Sequence, residues 1–173
     1  MKLIKKPSLD SLKKWKIFEH IPDAELKQIH SKIEFCHYDH EESIIHENSI
    51  GDHIFILASG KVRIEKQVGE NESEVLGFYD EVGGLFGEMA LLEDKPRSAG
   101  MIAESDCEVL AVSKEDFLEL VHSVPLFTLS VAKNISQFLR ETDERLINKL
   151  RKENDELRHM NYRLQETQEE LIG

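Results

Sequence analysis

The chain is 173 residues long, with 22 lysines and arginines against 34 aspartates and glutamates, a net charge of −12. That length buries one sizeable core rather than two independent domains. The negative balance excludes general nucleic-acid affinity, which depends on lysine and arginine neutralising phosphates. No apolar run approaches the ~20 residues that a membrane span needs, and the lysine-rich start (Lys2, Lys5, Lys6) lacks the apolar stretch of a secretory signal. A cytoplasmic protein with no membrane attachment is therefore expected.

Residues 8–33 carry apolar positions at Leu12, Trp15, Ile17, Phe18, Leu26 and Ile29, and Pro22 with Asp23 restarts a second helix. Residues 1–32 are thus expected to form a helical cap. From 33 to 113 the pattern turns to period two, as in Val62 and Ile64 against Lys61, Arg63 and Glu65, with turn clusters at 47–52, 69–72 and 82–84. Short strands at near-regular spacing predict a small antiparallel β-roll, so the fold class is α+β. Ser113, with Asp116 three residues on, caps a helix, and Pro125 opens a long one; residues 114–146 are assigned to the helices that close the domain.

The most informative chemistry lies in residues 85–99. The amides of Gly87, Glu88, Met89 and Ala90 are placed to be the free donors of a short helix's first turn, a ready anion site. Gly87 has no Cβ, which lets phosphate oxygens approach. Arg97 offers a planar fork matching two phosphate oxygens, and a hydrogen bond to a charged group contributes about 1.5–3 kcal/mol. An acid beside a phosphate repels it, so Glu88 makes sense as the acceptor of a neighbouring hydroxyl such as a ribose provides. The competing reading of the two charges is a surface ion pair between Glu88 and Arg97.

At Phe86, Gly87, Glu88, Ala90, Leu91, Pro96, Arg97, Ser98 and Ala99 the chain resembles the cyclic nucleotide-binding domain family, which includes bacterial catabolite activator proteins and the regulatory subunits of cyclic-nucleotide-dependent kinases. The resemblance implies that Glu88 takes the ribose 2′-hydroxyl while Arg97 and Ser98 take the cyclic phosphate. Residues 45–62 look like the family's Gly-Asp turn, followed by a Ser-Gly-x-Val hairpin at Ser59, Gly60, Lys61 and Val62. Ile64 and Leu85 are expected either beside the ligand or simply in the core, and the resemblance puts Thr142 near the purine. Cyclic AMP is the expected ligand and cyclic GMP the second choice, because a hydroxyl at Ser98 suits both.

Leu150, Leu157, Leu164 and Leu171 recur every seven residues, with Ile147, Asn154, Asn161 and Gln168 three residues before each. Taken as d and a positions, they predict a parallel two-stranded coiled coil over 147–173, in which asparagine at a fixes register at some cost in stability. Glu153 and Arg158 fall at g and the following e; the competing reading is one solvated helix. In the catabolite-activator subfamily the dimer helix leads to a helix-turn-helix. Here the coil continues instead, resembling signalling helices that end in an output domain such as a histidine kinase or a cyclic-di-GMP enzyme.

The remaining residues supply no catalytic or metal chemistry. His37, His40, His46 and His53 would be scattered by strand alternation, Cys36 and Cys107 lack metal-ligand spacing, and Ser98 has no nucleophile motif around it. Neither a cofactor nor a metal is expected, and the chain is read as a non-enzymatic, homodimeric sensor. Two other readings stand beside it: the ligand-binding half of a transcription regulator, and a dimerisation module whose site is vestigial.

Overall fold

The computed structural model describes residues 1–70 and 72–172, with side chains through Gln168. The chain forms two compact units, Met1–Asn134 and Ile135–Gly173. In order, the elements are β1 (Lys2–Leu3), α1 (Leu9–Leu12), α2 (Asp23–Lys32), β2 (Ile33–Tyr38), β3 (Ser43–Ile45), β4 (His53–Ser59), β5 (Val62–Gln67), β6 (Ser73–Tyr79) and β7 (Leu85–Phe86). There follow α3 (Glu88–Glu93), β8 (Gly100–Ala103), β9 (Cys107–Ser113), α4 (Lys114–Ser123) and α5 (Pro125–Ile172).

The strands build two antiparallel sheets, one of order β1-β2-β9-β4-β7 and one of order β3-β8-β5-β6. Register places Ile33, Val112 and Ile54 side by side, and likewise Phe35, Leu110 and Ile56, so all six share one buried face of the first sheet. The alternate face carries Phe55, Leu57, Val109 and Ala111, also buried. Phe55 stacks on Phe86 with ring centroids 5.5 Å apart, and Phe86 in turn meets Tyr79 of the second sheet at 5.7 Å. This face therefore looks across the roll, while α4 packs against β4 and β9.

The helical side is held by aromatics. Phe127 of α5 stacks on Phe18 at 6.5 Å and receives the edge of Phe117 at 6.1 Å, and all three rings are fully buried. Ser113 starts α4 as expected: its hydroxyl accepts the Asp116 N–H at 3.1 Å, satisfying one of the first-turn donors. α5 opens at Pro125, whose missing N–H would have had no partner in the first turn anyway.

Two expectations need correction. The segment 59–62 is not a hairpin, because β4 and β5 belong to different sheets and the Ser59-Gly60-Lys61 turn carries the chain from one to the other. Gly60 takes φ +94°, and a Cβ there would lie 2.4 Å from the Asp106 carbonyl oxygen, so the crossing needs glycine. The N-terminal segment also contributes a strand beside its helices: β1 pairs with β2 through Lys2–His37 and Leu3–Cys36. Two residues carry no readable periodicity, which hides this strand from the sequence.

Truncating Phe127 removes the ring on which two others pack. Phe127→Ala is expected to cost about 3–5 kcal/mol in urea denaturation with an unchanged m-value.

Candidate functional site

The site begins at the outer strand of the first sheet. β7 pairs with β4 through Phe86–Phe55 and Leu85–Ile56, and the chain then turns sharply at Gly87, φ +80°, into α3. A Cβ on Gly87 would fall 2.8 Å from Arg97 Nη1 and 3.0 Å from Ile45 Cδ1. Glycine is therefore required twice here, for the backbone angle and for the space. α3 ends after six residues at Asp94, in the left-handed region, and the Asp94 carboxylate pairs with Lys114 at the start of α4. Behind α3 lies Gly51, where a Cβ would sit 2.7 Å from the Ala90 Cβ, so the 47–52 turn packs directly on the helix.

The same turn holds Arg97. The Arg97 N–H donates to the Ser49 carbonyl at 2.9 Å, and the Asn48 N–H donates to the Arg97 carbonyl at 2.9 Å. With its backbone pinned, the side chain points inward and is only 5% exposed. Its guanidinium donates from Nη1 to the Gly87 carbonyl and from Nη2 to the His53 carbonyl. Burial pulls its pKa below the ordinary arginine value, against the opposing fields of Asp52 and Glu88.

Glu88, first residue of α3, is 9% exposed. Burial pushes its carboxyl above the usual carboxylate range; its own amide and the Arg97 charge pull the other way. Among the described residues no ion pair joins Glu88 to Arg97. In place of the expected alternative, a surface ion pair between them, both side chains are buried, and Arg97 bonds to backbone carbonyls. Such charges are costly unless something offsets their desolvation. The arrangement presents a carboxylate acceptor, a guanidinium and the first-turn amides of α3 within one short segment.

Leu85 and Phe86 are buried in β7, Ala90 is buried against Gly51, and Met89 and Ser98 are exposed. Ile64 is partly buried on β5, between Gly77 and Met101 of its neighbour strands. Thr142 belongs to the second unit, where its hydroxyl donates to the Phe138 carbonyl one helical turn back; it is not among the residues gathered in the first unit. The histidines part company. His37 faces Asp39, His40 lies against the Glu104 carbonyl, His46 meets Ser43 and His53 pairs with Asp52.

Sequence reasoning missed Tyr79 and Asn134, and it placed Gly51 and His53 only in a turn and a histidine cluster. Tyr79 donates its hydroxyl to the Leu85 carbonyl at 3.3 Å, and Asn134 accepts the Leu85 N–H at 3.0 Å. One readable signal existed for Asn134. Phe127 and Val131 are buried on α5, and Asn134 continues their stripe at helical spacing as a polar residue in an apolar row.

If Gly51 sets the seat of α3, adding a methyl there should displace the helix. Gly51→Ala is expected to weaken ligand binding at this site at least about tenfold with retained far-UV circular dichroism, checked by titration calorimetry.

Comparison with known proteins identifies the family. The cyclic nucleotide-binding domain model matches residues 35–123, which contain the whole segment from β7 to Arg97. The Cyclic AMP receptor protein of Thermus thermophilus is 35% identical over 106 residues, covering 61% of this chain and 49% of that protein. Human cGMP-dependent protein kinase 2 is 34% identical over 106 residues, covering 61% of this chain and 14% of the kinase. The crystal structure of Thermus thermophilus Catabolite Activator Protein aligns with a TM-score of 0.63 at 31% identity, over 76% of this chain and 61% of that one. The chain thus spans about half the length of the first relative and a small part of the second. Its fold, the cassette formed by residues 85–99 and the matched residues together make it a member of the cyclic nucleotide-binding domain family.

Proposed function

We propose that this domain binds cyclic AMP at 85–98 and relays occupancy, without catalysis, through a dimeric C-terminal coil to an output domain. The observation that carries the ligand reading is the buried pair Glu88 and Arg97 beside the first turn of α3, with no ion pair between them among the described residues. A cyclic nucleotide offers both what they lack: an anionic phosphate for Arg97, Ser98 and the amides of Gly87, Glu88, Met89 and Ala90, and a ribose hydroxyl for the Glu88 carboxylate. Each hydrogen bond to a charged group contributes about 1.5–3 kcal/mol. Ile64 and Leu85 line the apolar side of the site. The relatives divide between a protein named for cyclic AMP and kinases named for cyclic GMP, and the Ser98 hydroxyl serves either. Cyclic GMP is the second choice.

The coil reading rests on α5. Leu150, Leu157 and Leu164 are 55%, 60% and 57% exposed on the single chain, a continuous stripe at heptad spacing that a second copy would cover. The expected last member, Leu171, lies outside the described side chains. Lys149–Glu153 and Lys152–Glu156 approach at 4.0 Å as i,i+4 pairs, which support the helix itself. A second reading, the ligand-binding half of a transcription regulator, is favoured by the match to the Thermus receptor over half of that protein.

Calorimetric titration with each nucleotide tests the ligand; a tenfold or greater preference for cyclic GMP, worth about 1.4 kcal/mol, overturns the choice of base. Arg97→Ala is expected to lose at least about tenfold in affinity, and a smaller loss removes Arg97 as the phosphate clamp. Light scattering should report a dimer, and Leu157→Lys a monomer. Absence of any thermal shift at saturating nucleotide would favour the vestigial-site reading.

Glu88 gives a pH signature. Because its folded pKa lies above the unfolded value of about 4.5, the stability associated with its protonation is fully present below that pH and is lost as pH rises through the folded pKa. Glu88→Gln is therefore expected to make the ligand-free protein more stable at pH 7 than the wild type and to weaken nucleotide binding at the same pH. Urea denaturation at pH 4 and pH 7, with calorimetry at pH 7, checks both.

A further inference from the structure

β7 is only two residues long and lies at the edge of its sheet. Its inner side is bonded to β4, while among the described residues no strand pairs with its outer side. Two side chains bond the Leu85 peptide there, one from α5 and one from the end of β6: Asn134 Oδ1 accepts the Leu85 N–H at 3.0 Å, and the Tyr79 hydroxyl donates to the Leu85 carbonyl at 3.3 Å. An edge amide left without an acceptor in a partly buried place keeps its desolvation penalty uncompensated, so the Asn134 side chain is a constraint on this edge.

Leu85 stands two residues before Gly87, whose backbone angle aims the first turn of α3. Peptide planarity leaves few soft dihedrals between the two, and the Phe86 ring is packed between Phe55 and Tyr79. Whatever fixes the Leu85 peptide therefore fixes the direction in which the Gly87 and Glu88 amides point. We infer that Asn134 is a positioning residue for the phosphate-cradling turn: α5 holds the turn in its binding geometry through this one side-chain acceptor. The inference rests on the cyclic-nucleotide reading of 85–98. It adds that the helix carrying the heptad leucines also has a polar hold on the ligand site, at a residue that touches neither phosphate nor sugar.

The test compares Asn134→Ala with Asn134→Asp, which keeps an oxygen acceptor at the same reach, and with Ser113→Ala, which removes the α4 cap at a comparable cost in stability. Cyclic AMP and cyclic GMP are titrated by calorimetry well below each variant's melting temperature, and amide exchange at Leu85–Glu88 is followed by NMR without nucleotide. Asn134→Ala should exchange Leu85 at least about tenfold faster and bind at least about tenfold more weakly. Asn134→Asp should restore both, and Ser113→Ala should change neither. Wild-type exchange or wild-type affinity in Asn134→Ala overturns the inference, as does equal weakening in Ser113→Ala. If the unsubstituted protein binds neither nucleotide, the ligand reading fails and takes this inference with it; if it binds and Asn134→Ala matches it, the inference alone fails.

Discussion

A guanidinium that is almost fully buried must find acceptors, and the acceptors available to Arg97 are the carbonyls of Gly87 and His53. That requirement draws three segments together: the end of β7, the start of β4, and the 47–52 turn that pins the Arg97 backbone through Asn48 and Ser49. Gly51 lets the turn lie against Ala90, and Gly87 leaves room for the guanidinium. Gly87 is needed for its positive φ as well, and Gly51 for its closeness to Ala90. The α3 cradle is thus shaped by the same residue whose charge suits it to an anion.

Glu88 is the counterpart of this constraint. It is buried on the same short helix, and desolvation raises its pKa by disfavouring the charged carboxylate. A buried carboxylate without a hydrogen-bond donor is costly, and any partner that supplies a donor offsets that cost. A ligand can shift the helices only by its differential affinity for their arrangements. The physical path for such a difference begins at Leu85, where the sheet edge is closed by Asn134 and Tyr79 instead of by a strand.

Local spacing made much of this readable. Ser113 and Pro125 announce their helices because caps and first-turn prolines act over three or four residues. Residues 85–99 announce a cradle because the glycine, acid and arginine lie within one loop's reach of each other. The same local logic misread the 59–62 turn as a hairpin: period-two strands flanking a Ser-Gly dipeptide look alike whether the chain folds back or crosses between sheets. It also passed over β1, whose two residues are too few for any period.

The sequence by itself determined the fold class, the chemistry of the cassette and the heptad stripe of α5, all of which are written in neighbours along the chain. Only the tertiary structure decided what the functional groups bond to. Arg97 reaches the Gly87 carbonyl 10 residues away and the His53 carbonyl 44 residues away, and Asn134 meets the Leu85 amide across 49 residues. Backbone carbonyls and amides look the same at every position in a sequence. Which of them lies within bonding distance of a side chain is set by how the sheets and helices pack.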